Sequence, residues 1–217
     1  MIDFKKIDFK KIVTPFNFVL LGIIIVIAYA GYVGLKNKST VSKIKEVAPG
    51  HVVKLAENPA DLKVTLFYDY QCPFCYQIDP IVRQAAKNDG GVELLFKFLP
   101  YFGEKSEQMA RMAYAAGQQD KFLEVHDYFL QSGNRTYDDE EIKIMSDELG
   151  LDFDKFKVDM DSNAAKAKIE ENKDLAFRLN VIATPTLYIG DEFFIPEGKM
   201  PDVSKFEELF DQARQRL

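Results

Sequence analysis

"FYDYQCPFCYQI", Phe67 to Ile78, holds both cysteines of a 217-residue chain. Before it runs "LKVTLFYDY", Leu62 to Tyr70, rich in β-branched and aromatic residues, which predicts a buried strand. After it, Pro73 suits the first turn of a helix, where a missing N–H costs nothing. That helix runs to about Asn88 with Ile78, Ile81, Val82 and Ala85 turned inward, and Gly90-Gly91 ends it. Cys72 therefore falls between the end of a strand and the start of a helix. Unpaired N–H groups and the helix dipole favour an anion there.

A Cys-x-x-Cys pair can be redox-active, a structural staple, or half of a metal site. Structural zinc needs about four ligands of Cys and His type. Besides the two thiols the chain offers only His51 and His126, far apart and outside any ligand spacing. As a staple, a four-residue loop stabilises by roughly 2 kcal/mol, against about 3 for fifteen residues. Exchange chemistry explains the spacing better. The attacking species is the thiolate, and a helix N-terminus lowers a thiol pKa. Cys75, one turn inside the helix, is expected to be more buried and to act only after Cys72 has formed a mixed disulfide. No cofactor beyond the Cys72–Cys75 disulfide is implied.

Outward from the pair, "HVVKL" reads as a short strand before it and "VELLFKFLP" as a strand after it. From about 104 to 180 the pattern is helical only. "SEQMARMAYAAG" carries Met109, Met112, Ala113 and Ala116 at helical spacing, and "DKFLEVHDYFL" carries Phe122, Val125, His126, Phe129 and Leu130. "DDEEIKIMSDELG" opens with a capping-box pair, Asp138 and Glu141, and stops at Gly150. A further helix from about Asn163 to Leu179 ends at Asn180. Strands return at "TPTLYIG", Thr184 to Gly190, and "EFFIP", Glu192 to Pro196, with a hairpin tip at Gly190-Asp191. "DVSKFEELFDQARQRL" is the closing helix, with Val203, Phe206, Leu209, Phe210 and Ala213 inward. The order describes an α/β sheet interrupted by an all-helical insertion.

The N-terminal part has a different character. "PFNFVLLGIIIVIAYAGYVGL", Pro15 to Leu35, carries no charge and follows Lys5, Lys6, Lys10 and Lys11. This predicts a transmembrane signal-anchor over 16–35, after a basic cytoplasmic tail over 1–15. The alternative is a signal peptide cleaved near Ala30. Either reading exports the remainder, where disulfides persist. A polar linker over 36–50 then leads to a domain over 51–217. The formal net charge is −6 with the lysine cluster at one end, so the rest is acidic, which argues against nucleic acid as a partner.

"FYDYQCPFC", followed far downstream by "ATPTLYIG", resembles the DsbA-like thiol:disulfide oxidoreductases. The resemblance implies a thioredoxin-like fold with a helical insertion, here preceded by one N-terminal transmembrane helix. It implies a cis bond at Thr184–Pro185, presenting the Thr184 backbone to an extended substrate beside Cys72. Two positions depart from the family. Phe74 stands where members often carry a thiolate-stabilising His, so Pro73 and Phe74 are expected to tune the centre towards less oxidising power. Leu66 stands six residues before Cys72, where relatives often have a buried acid, and Asp69 leaves the proton route open. Phe74, Tyr76, Tyr101 and Phe102 are candidates for an apolar substrate-binding rim, or equally for the core.

The expected function is a membrane-tethered, extracytoplasmic (periplasmic) dithiol oxidase of unfolded or folding exported proteins, reoxidised by a membrane redox partner. The rivals are a reductase or isomerase on the same fold, and a non-catalytic tethered binding or chaperone module with a structural disulfide.

Overall fold

The computed structural model describes residues 15–44, 52–54, 59–133 and 137–217. The chain divides into two units, Met1–Ser42 and Lys43–Leu217. In the first, helix α1 begins at Pro15, and it ends at Ile44. The second contains strands β1 (Val52–Lys54), β2 (Leu62–Tyr68), β3 (Val92–Phe98), β4 (Thr186–Ile189) and β5 (Glu192–Phe194). Its helices are α2 (Pro73–Asp89), α3 (Glu104–Gly117), α4 (Phe122–Ser132), α5 (Asp139–Leu149), α6 (Phe153–Asp161), α7 (Asn163–Arg178) and α8 (Val203–Arg216).

The N-terminal expectation needs correction. Pro15–Leu35 is helical, but among the described residues no helix is long and apolar enough to cross a membrane. The transmembrane signal-anchor is thus not supported. With it go the membrane-anchored family assignment, the attachment to a membrane and the single-pass topology with a cytoplasmic N-terminus. Helix α1 continues to Ile44, into the stretch read as a linker. The lysine-bearing leader over 1–14 and His51 lie outside the described residues.

The five strands lie in the order β1-β3-β2-β4-β5. Strands β2 and β3 are parallel, joined through α2, and every other pairing is antiparallel. Being central, β2 is buried on both faces except at Lys63, which is why its sequence reads as a near-continuous apolar run. Leu62, Val64, Leu66 and Tyr68 face one way, into a core shared with Val92, Leu94, Phe96 and Phe98 of β3. Ile78 and Val82 of α2, Met109 and Met112 of α3, Phe129 of α4 and Phe206 of α8 complete it. Phe67 faces the other way and packs with Leu99, Ala176 and Val181.

Local signals decide the helix ends. Pro73 begins α2, and Gly90, in the left-handed conformation, closes it. Asp138 and Glu141 form a reciprocal capping box at α5, and Gly150 caps its far end. Helix α6 has no counterpart among the helices read from the sequence. It is nine residues long and buries only Phe156 and Met160, one turn apart, too short a stripe to stand out from its charged neighbours. At the opposite end of the domain, Arg214 of α8 bonds both Asp61, before β2, and Asp89, at the end of α2. Arg214 holds both carboxyls below their usual range.

Gly190 turns the β4–β5 hairpin at φ 66°, and a Cβ there would lie 2.9 Å from Ala213 Cβ. Gly150 has a similar φ, 69°, but open space around it. Gly150→Ala should therefore cost about 1 kcal/mol of backbone strain, and Gly190→Ala about 1–3 kcal/mol more from overlap. Urea denaturation of the two variants measures the difference; equal costs would contradict the close approach of α8 to the hairpin.

Candidate active site

Strand β2 ends at Tyr68, and a short turn, Asp69 to Gln71, delivers Cys72 to the N-cap of α2. The turn is held by a bond from Cys72 N–H to the Asp69 carbonyl at 3.1 Å. The Cys72 carbonyl accepts from Cys75 N–H at 3.0 Å, so the helix starts on the nucleophile candidate itself. Cys72 Sγ lies 3.1 Å from the Thr184 carbonyl oxygen, to which its thiol donates. The next peptide bond, Thr184–Pro185, is cis. Cys72, Pro73, Thr184 and Pro185 are thus brought together from positions more than a hundred residues apart.

The two thiols differ sharply. Cys72 has its pKa lowered to about 6 from an ordinary 9.0. The largest cause is the hydrogen bond from Cys75, with the backbone N–H groups of Phe74 and Cys75 at the helix mouth adding to it against desolvation. Cys75 is fully buried on the inner face of α2. Burial first, then the neighbouring Cys72, pushes its thiol well above the ordinary value. Cys72 itself is only 2 % exposed, less open than a nucleophile read from sequence would suggest.

The apolar candidates prove to be surface rather than core. Phe74 is 57 % exposed, Tyr101 45 % and Phe102 57 %. Asp69 explains why the last two project outward. Its carboxylate accepts from the backbone N–H of Tyr101 (2.7 Å) and Phe102 (3.3 Å), from Ser106 Oγ (2.6 Å) and from Gln71 N–H (2.8 Å). Those bonds pin the loop after β3 by its backbone, with the two side chains directed to the surface. The question left open by strand alternation is thereby answered: Asp69 ties the loop down. Tyr101 Oη donates to the Val181 carbonyl at 3.2 Å, joining this loop to the segment before Thr184. Ile182, next to Val181 and 79 % exposed, is a further exposed apolar side chain that was not singled out in the sequence. Tyr76 is half-buried, and its hydroxyl has no hydrogen-bond partner among the described residues. Leu66 is core, opposite Leu187 and Phe96 in the sheet.

Asp79 was missed, and His126 was read only as part of a helical stripe and as an unlinked imidazole. Asp79 of α2 and His126 of α4 are both fully buried, and Asp79 Oδ1 lies 3.1 Å from His126 Nε2. Only the spacing of Asp79, four residues after Cys75, could have signalled it, since i and i+4 share a helix face.

The lowered Cys72 pKa has a definite pH signature. Alkylation of the reduced protein by iodoacetamide should rise with a midpoint near pH 6, because only the thiolate attacks. A midpoint near the ordinary value would contradict the arrangement. The sign for stability follows: a depressed folded pKa stabilises the reduced fold above the unfolded value of 9.0, and that contribution is lost as pH falls through 6.

Comparison with known proteins agrees with this geometry. Residues 63–208 match the DSBA-like thioredoxin domain. A curated relative from Bacillus cereus, described as a probable disulfide bond formation protein D, is 30 % identical over 157 residues, covering 66 % of this chain and 72 % of that protein. The structure of a thioredoxin-like oxidoreductase from Silicibacter pomeroyi superposes with a TM-score of 0.66 at 27 % identity, covering 76 % of this chain and 91 % of the other. A periplasmic thioredoxin-like protein from Salmonella enterica gives 0.66 and 27 %, covering 80 % and 95 %. With its closely spaced cysteine pair on this fold, the chain belongs to the DSBA-like thioredoxin domain family and is a thiol:disulfide oxidoreductase.

Proposed function

We propose that the protein exchanges disulfides with cysteine-bearing polypeptides presented in extended form, starting from the reduced pair, as a reductase or isomerase. The Cys72 thiolate attacks a substrate disulfide, forming a mixed disulfide and releasing one substrate thiolate. A second substrate thiol then resolves it with no net electron transfer (isomerisation). Alternatively Cys75 resolves it, leaving Cys72–Cys75 oxidised and the substrate reduced, and a dithiol reductant restores the pair. The observation that carries this reading is Cys72 Sγ at the mouth of α2, 3.1 Å from the Thr184 carbonyl. An extended chain lying along Thr184 and Pro185 would meet that sulfur with its backbone paired as at a sheet edge. Phe74, Tyr101 and Phe102 offer apolar contact without sequence demand.

Direction depends on how strongly the thiolate is stabilised. Phe74, an apolar residue, stands before the second cysteine and provides no cation. With no cation beside it at position 74, the Cys72 thiolate is less stabilised than in a strong oxidant, which favours exchange from the reduced state over the dedicated oxidase expected from sequence. The Bacillus relatives, described as probable disulfide bond formation proteins, favour oxidation as the second reading.

Reduced protein is expected to reshuffle a scrambled-disulfide substrate, and Cys75→Ser to accumulate mixed disulfides through Cys72. Reduced protein that leaves the substrate scrambled, while oxidised protein converts its dithiols, would favour oxidation. No adducts at all would refute exchange through Cys72. Phe74→His places a potential cation beside the thiolate. A charge-assisted hydrogen bond of about 1.5–3 kcal/mol should make the potential more oxidising by about 30–60 mV. An unchanged potential on equilibration with glutathione would remove Phe74 from the tuning.

A further inference from the structure

Three carbonyl groups in the segment around the cis bond are held by side chains rather than by a strand partner. Helix α7 ends at Arg178 and β4 begins at Thr186, so residues 179–185 lie outside the sheet ladder. The Val181 carbonyl accepts from Tyr101 Oη at 3.2 Å, the Ala183 carbonyl from Thr186 Oγ1 at 2.8 Å, and the Thr184 carbonyl from the Cys72 thiol at 3.1 Å. The Thr186 contact spans three residues and ties the segment only to its own continuation. The bond from Val181 N–H to the Ala176 carbonyl, 2.8 Å, is equally local. Val181 packs with Phe67 and Leu99, but Ile182 and Ala183 beyond it are exposed. Among the described residues, Tyr101 and Cys72 are thus the two polar contacts that fix this segment against the rest of the domain.

These two contacts differ in what happens to them during exchange. A thiol donates to a carbonyl, whereas a thiolate, or a sulfur in a mixed disulfide, has no proton to donate. The Cys72 hydrogen bond is therefore absent in the very step that needs a substrate chain aligned. The Tyr101 bond remains. Tyr101 N–H donates to Asp69 Oδ2 at 2.7 Å, and the Asp69 carbonyl accepts from Cys72 N–H at 3.1 Å. The hydroxyl is thereby tied to the same turn that carries the attacking sulfur. A circuit of contacts closes from Cys72 through Asp69, Tyr101 and Val181 to Thr184.

We propose that Tyr101 is a positioning residue for exchange. Its hydroxyl holds the Val181 carbonyl, and through it the Thr184 backbone, where a substrate chain pairs beside Cys72. This rests on the reading of the substrate as an extended polypeptide lying along Thr184 and Pro185. A segment fixed before binding loses less freedom when a chain pairs with it, so the hydroxyl acts on affinity for the chain and not on the sulfur. The apolar ring makes a separate contact, and mutation separates the two.

Two reagents with the same reacting bond test this. One is a short cysteine-containing peptide without aromatic residues, its thiol capped as the 2-pyridyl disulfide. The other is N-acetylcysteine capped in the same way. In both, the Cys72 thiolate forms an S–S bond to the cysteine sulfur, the bond to the pyridyl sulfur breaks, and coloured pyridine-2-thiolate leaves with the electron pair. Single turnovers of reduced protein give a half-saturating peptide concentration and a limiting rate. In Tyr101→Phe the half-saturating concentration should rise about three- to tenfold, as one net hydrogen bond allows. The limiting rate and the N-acetylcysteine rate should hold. Tyr101→Leu, which removes the ring as well, should raise that concentration further. If Tyr101→Phe matches wild type while Tyr101→Leu is impaired, the ring alone acts and the proposal fails. Equal slowing of both reagents also overturns it, as does a loss of stability in urea with the peptide constants unchanged. Wild-type protein that treats the two reagents alike contradicts the extended-chain reading itself.

Discussion

The close approach of Cys72 Sγ to the Thr184 carbonyl, 3.1 Å, joins the two halves of this fold at the point where chemistry is expected. It exists because β2, buried on both faces, is flanked by β3 on one side and β4 on the other. In that register Phe67 sits opposite Thr186, so the ends of β2 and the start of β4 share one edge of the sheet. The turn after Tyr68 and the turn before Thr186 must then meet. Helix α2, starting at Cys72 and Pro73, directs its N-terminal N–H groups at the same spot. Moving β4 by one residue would exchange core and outward side chains and carry Thr184 away from the thiol.

The helical insertion serves this arrangement in two ways. It supplies α7, whose Ala176 packs with Phe67 under the sheet. It also supplies α4, whose His126 reaches the inner face of α2. Asp69 works from the sheet side, binding the loop after β3 through backbone N–H groups so that Tyr101 and Phe102 turn to the surface. A carboxylate with four donors around it is an anchor, and its presence two residues before Gln71 explains why the turn keeps one shape.

Much of this was legible because it depends on local chemistry. The β-branched run before Cys72, Pro73 at the helix start, Gly90 at its end and the Asp138–Glu141 box each act over a few residues, and each element forms where its signals lie. What escaped depends on neighbours distant in the chain. Helix α6 owes its stability to packing of Phe156 and Met160, which a nine-residue window hardly registers. Asp79 and His126 look like single polar interruptions of apolar faces until the fold lays α2 against α4. Exposure of Tyr101 and Phe102 follows from Asp69, thirty-odd residues earlier. The apolar run at the N-terminus was read by composition alone, and among the described residues no helix meets the length and apolarity that crossing a membrane demands.

An electrostatic difference between two neighbouring sulfurs underlies the whole account, and carbon NMR can observe it sulfur by sulfur. In reduced protein labelled at cysteine Cβ, the Cys72 resonance should titrate near pH 6. The Cys75 resonance should hold its thiol position well past the ordinary range. Two cysteines titrating together near 9, or Cys75 ionising first, would contradict it.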